Sequence, residues 1–552
     1  MYHIIRAHGW FLALFALAGF VMLWRLDARP YVNFDEAIHG EVSLEMVERG
    51  NFLAPSYTNA PYFRKPPLKI WVTSTLMAFH PSPRGRGEGE GWKGIVWALR
   101  LPSALAGIGV VLLTAWWTWE WRRSRLAAFL AGAIMATFPA VHEHAFRTGE
   151  MDGMLTFFVL LALFAWWKTT CHPSPSRSPS PRGRGEGEDQ TIIVHHPRSG
   201  GMGVSFWLAI FGVAMGLAVM TKSAAGLLPL PIIALHWFLY RKMIRISFRQ
   251  FLVPCSVFLI ITLPWHLAMT LLHGGIFWEE YMGWHVVHRV TTQLHNEGAG
   301  PLWYIGAFAH TAGPYAWWML AVLIGIGAMT MVRNVQWFIV RHSPIAPLLA
   351  LLRRHVPQTH RAMDRFEELL RWPTVDLLAI WWLTVFIGYS FAQTKFAWYL
   401  LPLFPATAML IAGLTCIVQR ATRVRRLIIL LLLATVGLAS VQTFHTLRRE
   451  YPPSSFPRII AVLREGRANG LVTYGFAWQT QPAAYFTLRA ALPDVRISDG
   501  LLDVERTHEK LVLKERSWLL TKTETEIPED LRARVGTPRH VDGWSLWERA
   551  TP

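Results

Sequence analysis

The chain has 552 residues, 52% of them hydrophobic and only 16% charged, where ordinary soluble domains carry about 25% charged residues. With a mean hydropathy of +0.27, this excludes a typical soluble protein. The formal net charge is +18, but the excess lies in short loops between apolar runs, as the positive-inside rule expects, so nucleic acid is not an expected partner.

Apolar runs recur at roughly the length needed to cross a bilayer. In chain order the candidate spans are 10–24, 66–80, 97–119, 126–142, 151–168, 204–220, 223–240, 249–271, 302–331, 376–392, 396–417 and 426–443. The first, in "MYHIIRAHGWFLALFALAGFVMLW", lacks a small-residue cleavage site and reads as a retained span rather than a signal peptide. Run 66–80 is about 22 Å long as a helix, short for a crossing. It reads as interfacial or re-entrant, which gives 11 crossings within a range of 11–13. Beyond about 445 the runs stop. "FPRIIAVLREG" predicts a helix ended by glycine, and "LVTYGF" and "SWLLTK" predict strands. The expected organisation is a transmembrane domain over 1–443, with an outer loop at 25–65, and a small soluble α/β domain over 444–552.

Cys171, Cys255 and Cys416 each lie in or beside an apolar run, with no CxxC or Cys/His spacing, so neither a disulfide framework nor a zinc site is supported. Two loops share the decapeptide "PSPRGRGEGE", at 81–90 and 179–188. Its Pro, Gly, Arg and Glu cannot build a core, and both copies read as disordered insertions.

The basic loops "RKMIRISFR" (241–249), "RRHVPQTHRAMDR" (353–365) and "QRATRVRR" (419–426) are expected on the cytoplasmic side. By alternation, "TKS" (221–223), the segment 272–301, "QTK" (393–395), the C-terminal domain and Asp152 then face outward. Asp35 joins them if the N-terminus is inside. The acid-rich stretch "NFDEAIHGE" (33–41) therefore opens on the same face as Lys222 and Lys395. Such a set at the outer mouth of a polytopic protein suggests a catalytic site or a polar translocation path.

Six motifs carry a family resemblance, in order along residues 1 to about 440: "FDEAIHGEVSLEMVERGNFLAPSYTNAPYFRKPPL" (34–68), "FRTGEMDGMLTFF" (146–158), "GLAVMTKSAAGLL" (216–228), "LPWHLAM" (263–269), "GPLWY" (300–304) and "QTKFAWYLLPLFPA" (393–406). The chain resembles the ArnT-like and protein-O-mannosyltransferase-like (PMT) GT-C membrane glycosyltransferases. The resemblance implies an α-helical polytopic membrane protein of GT-C type. Its implied activity is transfer of a monosaccharide from a polyprenyl-phosphate donor to a lipid, glycan or protein acceptor. It places the protein in the inner or plasma membrane, among membrane lipids, with the active face periplasmic or exoplasmic.

By the same resemblance Asp35 is the essential acid, Glu36 its neighbour in the site and Asp152 the second catalytic acid. Tyr62, Lys65, Lys222, Arg289 and Lys395 are the lipid-phosphate contacts. The chemistry is apt. A general base takes the acceptor's proton as its oxygen attacks the anomeric carbon, and cations hold the phosphate. Each residue also has a plain structural explanation: first-turn acids favoured by the helix dipole, or interfacial cations that snorkel. Arg64 stands where the family often has glutamate, which puts that glutamate's role in doubt. Pro402 and Pro405 are expected to shape a helix end. No cofactor is established. Some GT-C relatives use a divalent cation, but His142, Glu143, His144, Glu150 and Asp152 form no clear ligand set, since His142 and His144 do not share a helix face. His273, His285, His288 and His295 leave the metal equally unknown.

Two other readings compete. A secondary transporter would place its charges near the midplane in broken helices and often show repeated spans. A membrane assembly factor would use the C-terminal domain to bind a partner but leaves the acid–base set unexplained. Deletion of both "PSPRGRGEGE" copies is expected to leave membrane insertion and activity unchanged. A loss of activity in the correctly inserted double deletion would assign those loops a role.

Overall fold

The computed structural model describes residues 2–29, 34–79, 90–171, 203–241, 246–292, 300–342, 373–417, 422–450, 456–476, 481–492, 494–499 and 516–550, with 244, 507, 510 and 511. The second decapeptide, most of the first, the basic loop 353–365 and His295 lie outside the described residues.

The helices follow the apolar runs. They are α1 (Tyr2–Leu23), α2 (Phe34–Arg49), α3 (Leu68–Phe79), α4 (Glu90–Arg122), α5 (Arg125–Thr137), α6 (Asp152–Thr170), α7 (Val204–Lys222), α8 (Pro229–Tyr240), α9 (Phe248–Trp278), α10 (Arg289–Thr291), α11 (Trp303–Ala312), α12 (Tyr315–His342), α13 (Pro373–Phe391), α14 (Phe404–Ile417) and α15 (Thr422–Arg448). Among the described residues six helical stretches are long and apolar enough to cross a membrane: 94–122, 152–170, 204–227, 248–291, 373–391 and 425–448. Six shorter apolar helices accompany them. This is the expected helical polytopic membrane protein.

Local chemistry explains the ends. Ser247 caps α9 in a reciprocal capping box with Gln250, and Ser124 caps α5. The expected single run 302–331 is two helices, because Gly313 at φ 58° turns the chain after α11 and Pro314 follows. Run 396–417 opens as a 3₁₀ turn over Ala397–Leu403 containing Pro402, and becomes α-helical only at Phe404, with Pro405 in its first turn. The prolines therefore shape a helix end, as expected.

The chain divides into two compact units. Unit 1 comprises 1–22, 106–145 and 152–446; unit 2 comprises 23–105, 146–151 and 447–552. The C-terminal residues thus share a unit with the outer loop, α3 and the first half of α4. In unit 2, α16 (Phe456–Glu465) ends at Gly466, as read from sequence. With α17 (Pro482–Ala491) it accompanies a mixed five-stranded sheet. The strands are β3 (Gly470–Thr473), β4 (Arg496–Asp499), β5 (Ser517–Lys522), β6 (Val535–Val541) and β7 (Trp544–Arg549), in the order β4-β3-β5-β7-β6. β3 runs parallel to β4 and β5, and β7 antiparallel to β5 and β6. One apolar core of this sheet gathers Ile459, Leu463, Leu471, Leu488, Trp518 and Leu546. At 12 residues, α3 spans about 18 Å, too short to cross a bilayer. Instead it packs in unit 2 with α2.

Helix α2 is buried on nearly every side, although its sequence is half polar. Ile38, Val42 and Met46, four apart, form one apolar stripe with Tyr57, Tyr62 and Ile70. Glu36, His39, Glu41, Ser43 and Glu45 are buried as well. The His39 ring donates from Nδ1 to the Gly149 carbonyl at 3.2 Å. Burial pushes its pKa down to about 4, against the weaker opposing pull of Asp35. A ring kept neutral on folding stabilises unit 2 above its unfolded pKa near 6.5, and that stability is lost as pH falls toward 4, on the order of 3 kcal/mol in all. His39→Gln should flatten the fall in thermal stability between pH 7 and pH 4.5. Parallel melting curves for variant and wild type would show that His39 is not the group responsible.

Candidate active site

Three side chains and one backbone amide, from four different stretches, organise the head of α2. Arg100, fully buried in α4, grips Glu36 with two nitrogens: Nε donates to Oε1 at 2.7 Å and Nη2 to Oε2 at 3.1 Å. Its Nη1 donates to the carbonyls of Leu26 and Arg29, both at 2.8 Å. Glu36 Oε1 also accepts from the Gly149 amide at 2.6 Å. Nearby, buried Lys69 donates to the Leu99 carbonyl at 2.8 Å. Such a network satisfies a buried charge by charge-assisted, forked bonds. Glu36 was expected beside Asp35 in the site. Its carboxylate is turned inward and committed to Arg100 and Gly149, the geometry of a group that orients its neighbour.

Asp35, in the first turn of α2, is the half-buried acid of this helix head. The hairpin of β1 (Ser56–Tyr57) and β2 (Ala60–Pro61) leads back to it. Thr58 and Asn59, at φ 49° and 67°, make its tight turn. Glu45 anchors the hairpin by accepting from Ser56 Oγ at 2.6 Å. Tyr62 follows, 4% exposed and packed against α2. Lys65 is half-buried, just before buried Pro66 and Pro67, which restrict the chain. Asp35 and Lys65 both lie within electrostatic reach of His39. Unit 2 therefore holds a half-buried carboxylate and a half-buried ammonium that both act on His39, and Tyr62 packs in the apolar cluster of α2.

Unit 1 holds a second set. Asp152 heads α6, and Lys222 ends α7, where Ser223 at φ 44° starts a 3₁₀ turn that folds tightly back on Ala218 and Val219. Lys222 Nζ donates to Asp152 Oδ1 at 2.6 Å and lies 5.4 Å from the Tyr399 ring centroid. The two residues form one ion pair, with Asp152 buried and Lys222 partly so. Lys395, 2% exposed, donates to the carbonyls of Ser390 and Ala392 at 2.8 and 2.6 Å. That is the placing of a cation capping the C-terminal end of α13. The backbone of 393–394 pairs with 289–290: Gln393 N donates to Val290 O and Thr394 N to Arg289 O, at 3.1 and 3.2 Å. The loop of Lys395 and the half-buried Arg289 are thus neighbours. Among the described residues the buried Nε of Arg289 has no hydrogen-bond partner. A buried guanidinium nitrogen without an acceptor is suited to an anion.

Sequence reasoning missed Arg100, His39, Lys69 and Arg489. An arginine inside an apolar run, "VWALRLPSAL", was the available signal for Arg100, since a charge there needs a buried partner.

The chain is similar to several known proteins. The family described as dolichyl-phosphate-mannose-protein mannosyltransferase (PMT) matches residues 12–277. Undecaprenyl phosphate-alpha-4-amino-4-deoxy-L-arabinose arabinosyl transferase 2 of Pseudomonas fluorescens (strain Pf0-1) is 28% identical over 257 residues, 45% of this chain and 39% of that one. The corresponding transferase of Enterobacter sp. (strain 638) is 24% identical over 409 residues, 72% of this chain and 58% of that one. The chain thus spans about half the length of these two curated relatives. The crystal structure of ArnT from Cupriavidus metallidurans bound to undecaprenyl phosphate shares the fold, with a TM-score of 0.60 at 16% identity over 98% of each chain. The matched family, the relatives and the shared fold point the same way: the chain is similar to ArnT-like, PMT-related membrane transferases and shares the fold of ArnT.

Proposed function

We propose that the protein transfers a monosaccharide from a polyprenyl-phosphate donor to a lipid, glycan or protein acceptor, on the periplasmic or exoplasmic face of the membrane. The observation that carries this reading is the head of α2. Glu36 is locked by Arg100 and Gly149, while its neighbour Asp35 stays half-buried, and Asp35 and Lys65 each act electrostatically on His39. The relatives' names supply the first donor to try, undecaprenyl-phosphate aminoarabinose. The transporter alternative finds no support among these relatives, which are transferases by name.

In the proposed step an acceptor hydroxyl oxygen attacks the anomeric carbon. The bond from that carbon to the phosphate oxygen breaks, and the polyprenyl phosphate leaves with the electron pair. Asp35 takes the hydroxyl proton, which requires it ionised and within hydrogen-bond reach of the acceptor. Lys65 neutralises the lipid phosphate on binding and the charge that grows as it leaves. In unit 1, Arg289, whose buried Nε has no hydrogen-bond partner among the described residues, is suited to an anion. A phosphate is a good leaving group, so no protein acid is needed opposite Asp35.

The assay is sugar transfer by the purified enzyme in lipid vesicles, paired with mass spectrometry of the cell envelope with and without the protein. Asp35→Asn should abolish transfer in a correctly folded protein. Residual activity above about a tenth of wild type would contradict a general base, usually worth at least ~10² in rate. Lys65→Ala should raise the donor KM and lower kcat, with partial function kept by Lys65→Arg because charge survives though geometry changes. Wild-type values for both constants in Lys65→Ala would reduce it to an interfacial anchor.

A further inference from the structure

Helix α17 of the C-terminal sheet region packs directly on α2, and both lie in unit 2. Phe486 and Ala490 of α17, fully buried or nearly so, share one apolar cluster with Ala37 of α2, Met77 of α3, and Ala98 and Leu99 of α4. The approach is close. A Cβ added at Gly40 would meet the Phe486 ring at 2.5 Å, so glycine is what lets the ring rest on the helix backbone. One residue on, Glu41 is fully buried, and neither of its oxygens accepts a hydrogen bond among the described residues. Its compensation is a charge: Arg489 Nε of α17 lies 3.2 Å from Glu41 Oε1, and Arg489 Nη2 reaches Glu48 Oε2 two turns further, at 2.5 Å. The guanidinium also lies 5.9 Å from the Tyr485 ring centroid.

We propose that α17 is the positioning element of the Asp35 helix, with Phe486 setting how deeply α2 seats and Arg489 setting its rotation and axial register through Glu41 and Glu48. The ring fills the notch at Gly40, and the two carboxylates lie along one side of α2, seven residues apart. A helix held at Gly40, Glu41 and Glu48 cannot turn or slide without breaking the pair or exposing the ring. Asp35 stands little more than one turn before Gly40, so its placement follows from that register. Burial pushes the Glu41 carboxyl up to about 8, with Arg489 pulling the other way; the close approach of the guanidinium is what favours its charged form. Arg489 touches no reacting group in this account; it acts through α2. Reactions of this kind lose on the order of 10² in rate for a misplacement of about 1 Å.

The kinetic part of the proposal rests on the transferase reading, so the test has a second arm that does not. Full-length protein in lipid nanodiscs is compared as wild type, Arg489→Ala, Arg489→Lys and Phe486→Leu. One measurement is amide hydrogen exchange of the peptide covering 34–49. The other is kcat and donor KM with undecaprenyl-phosphate aminoarabinose. Arg489→Ala is expected to speed exchange in α2 and lower kcat at least tenfold, with donor KM within twofold of wild type. Arg489→Lys should recover most of both, and Phe486→Leu should shift both in the same direction as Arg489→Ala. Unchanged exchange in α2 for Arg489→Ala overturns the proposal, as does a rise in donor KM with kcat intact. If the wild type transfers no sugar, the transferase reading fails, and exchange alone decides the docking. If Arg489→Ala does not fold, Phe486→Leu decides, and wild-type exchange and kcat in that variant overturn the proposal.

Discussion

Burial of carboxylates on α2 is the constraint on which unit 2 depends. A helix that puts Glu36, Glu41 and Glu45 out of water must find each of them a partner, because an uncompensated buried charge costs several kcal/mol. The partners come from distant stretches: Arg100 from α4, Gly149 from the segment before α6, Ser56 from the hairpin and Arg489 from α17. Satisfying α2 is therefore the same act as assembling the unit. Most of the acids of this stretch hold the helix, whereas Asp35 is half-buried.

A parallel economy operates in unit 1. Asp152 and Lys222 neutralise one another at the ends of two long apolar helices. Isolated charges there would be costly to bury. Lys395 turns its ammonium onto the carbonyls that a helix end leaves over, which satisfies both partners. Arg289 departs from this pattern, since its Nε is buried without an acceptor among the described residues. Interior polar groups are normally satisfied, and a guanidinium nitrogen left in this state is suited to an anion.

Much of the fold was legible in the sequence, for a simple reason. A chain that spans a bilayer writes its helices as long apolar runs, and lipid leaves the backbone few alternatives. The helix over 456–465 and the strands around 471 and 517 were readable from periodicity in the same way. The break at Gly313–Pro314 and the 3₁₀ opening at 397–403 were harder to read, because apolar content continues through them. There the backbone, through positive φ and proline, interrupts a run that hydropathy alone joins.

The candidate site divides along the same line. Motif order and residue type marked Asp35, Lys65, Asp152, Lys222, Arg289 and Lys395. Sequence by itself determined which charged residues stand at the ends of spans, since a charge inside an apolar run is expensive and therefore conspicuous. Only tertiary structure decided what each charge does there. Glu36 and Asp35 are adjacent and chemically alike, yet one is locked by an arginine 64 residues away while the other is left half-buried. Lys222 and Lys395 both follow a threonine at the end of an apolar helix, yet one pairs with a carboxylate and the other caps carbonyls. The physical reason is that a partner's identity depends on which distant segments pack together, and pairing across such distances leaves no local pattern in the chain.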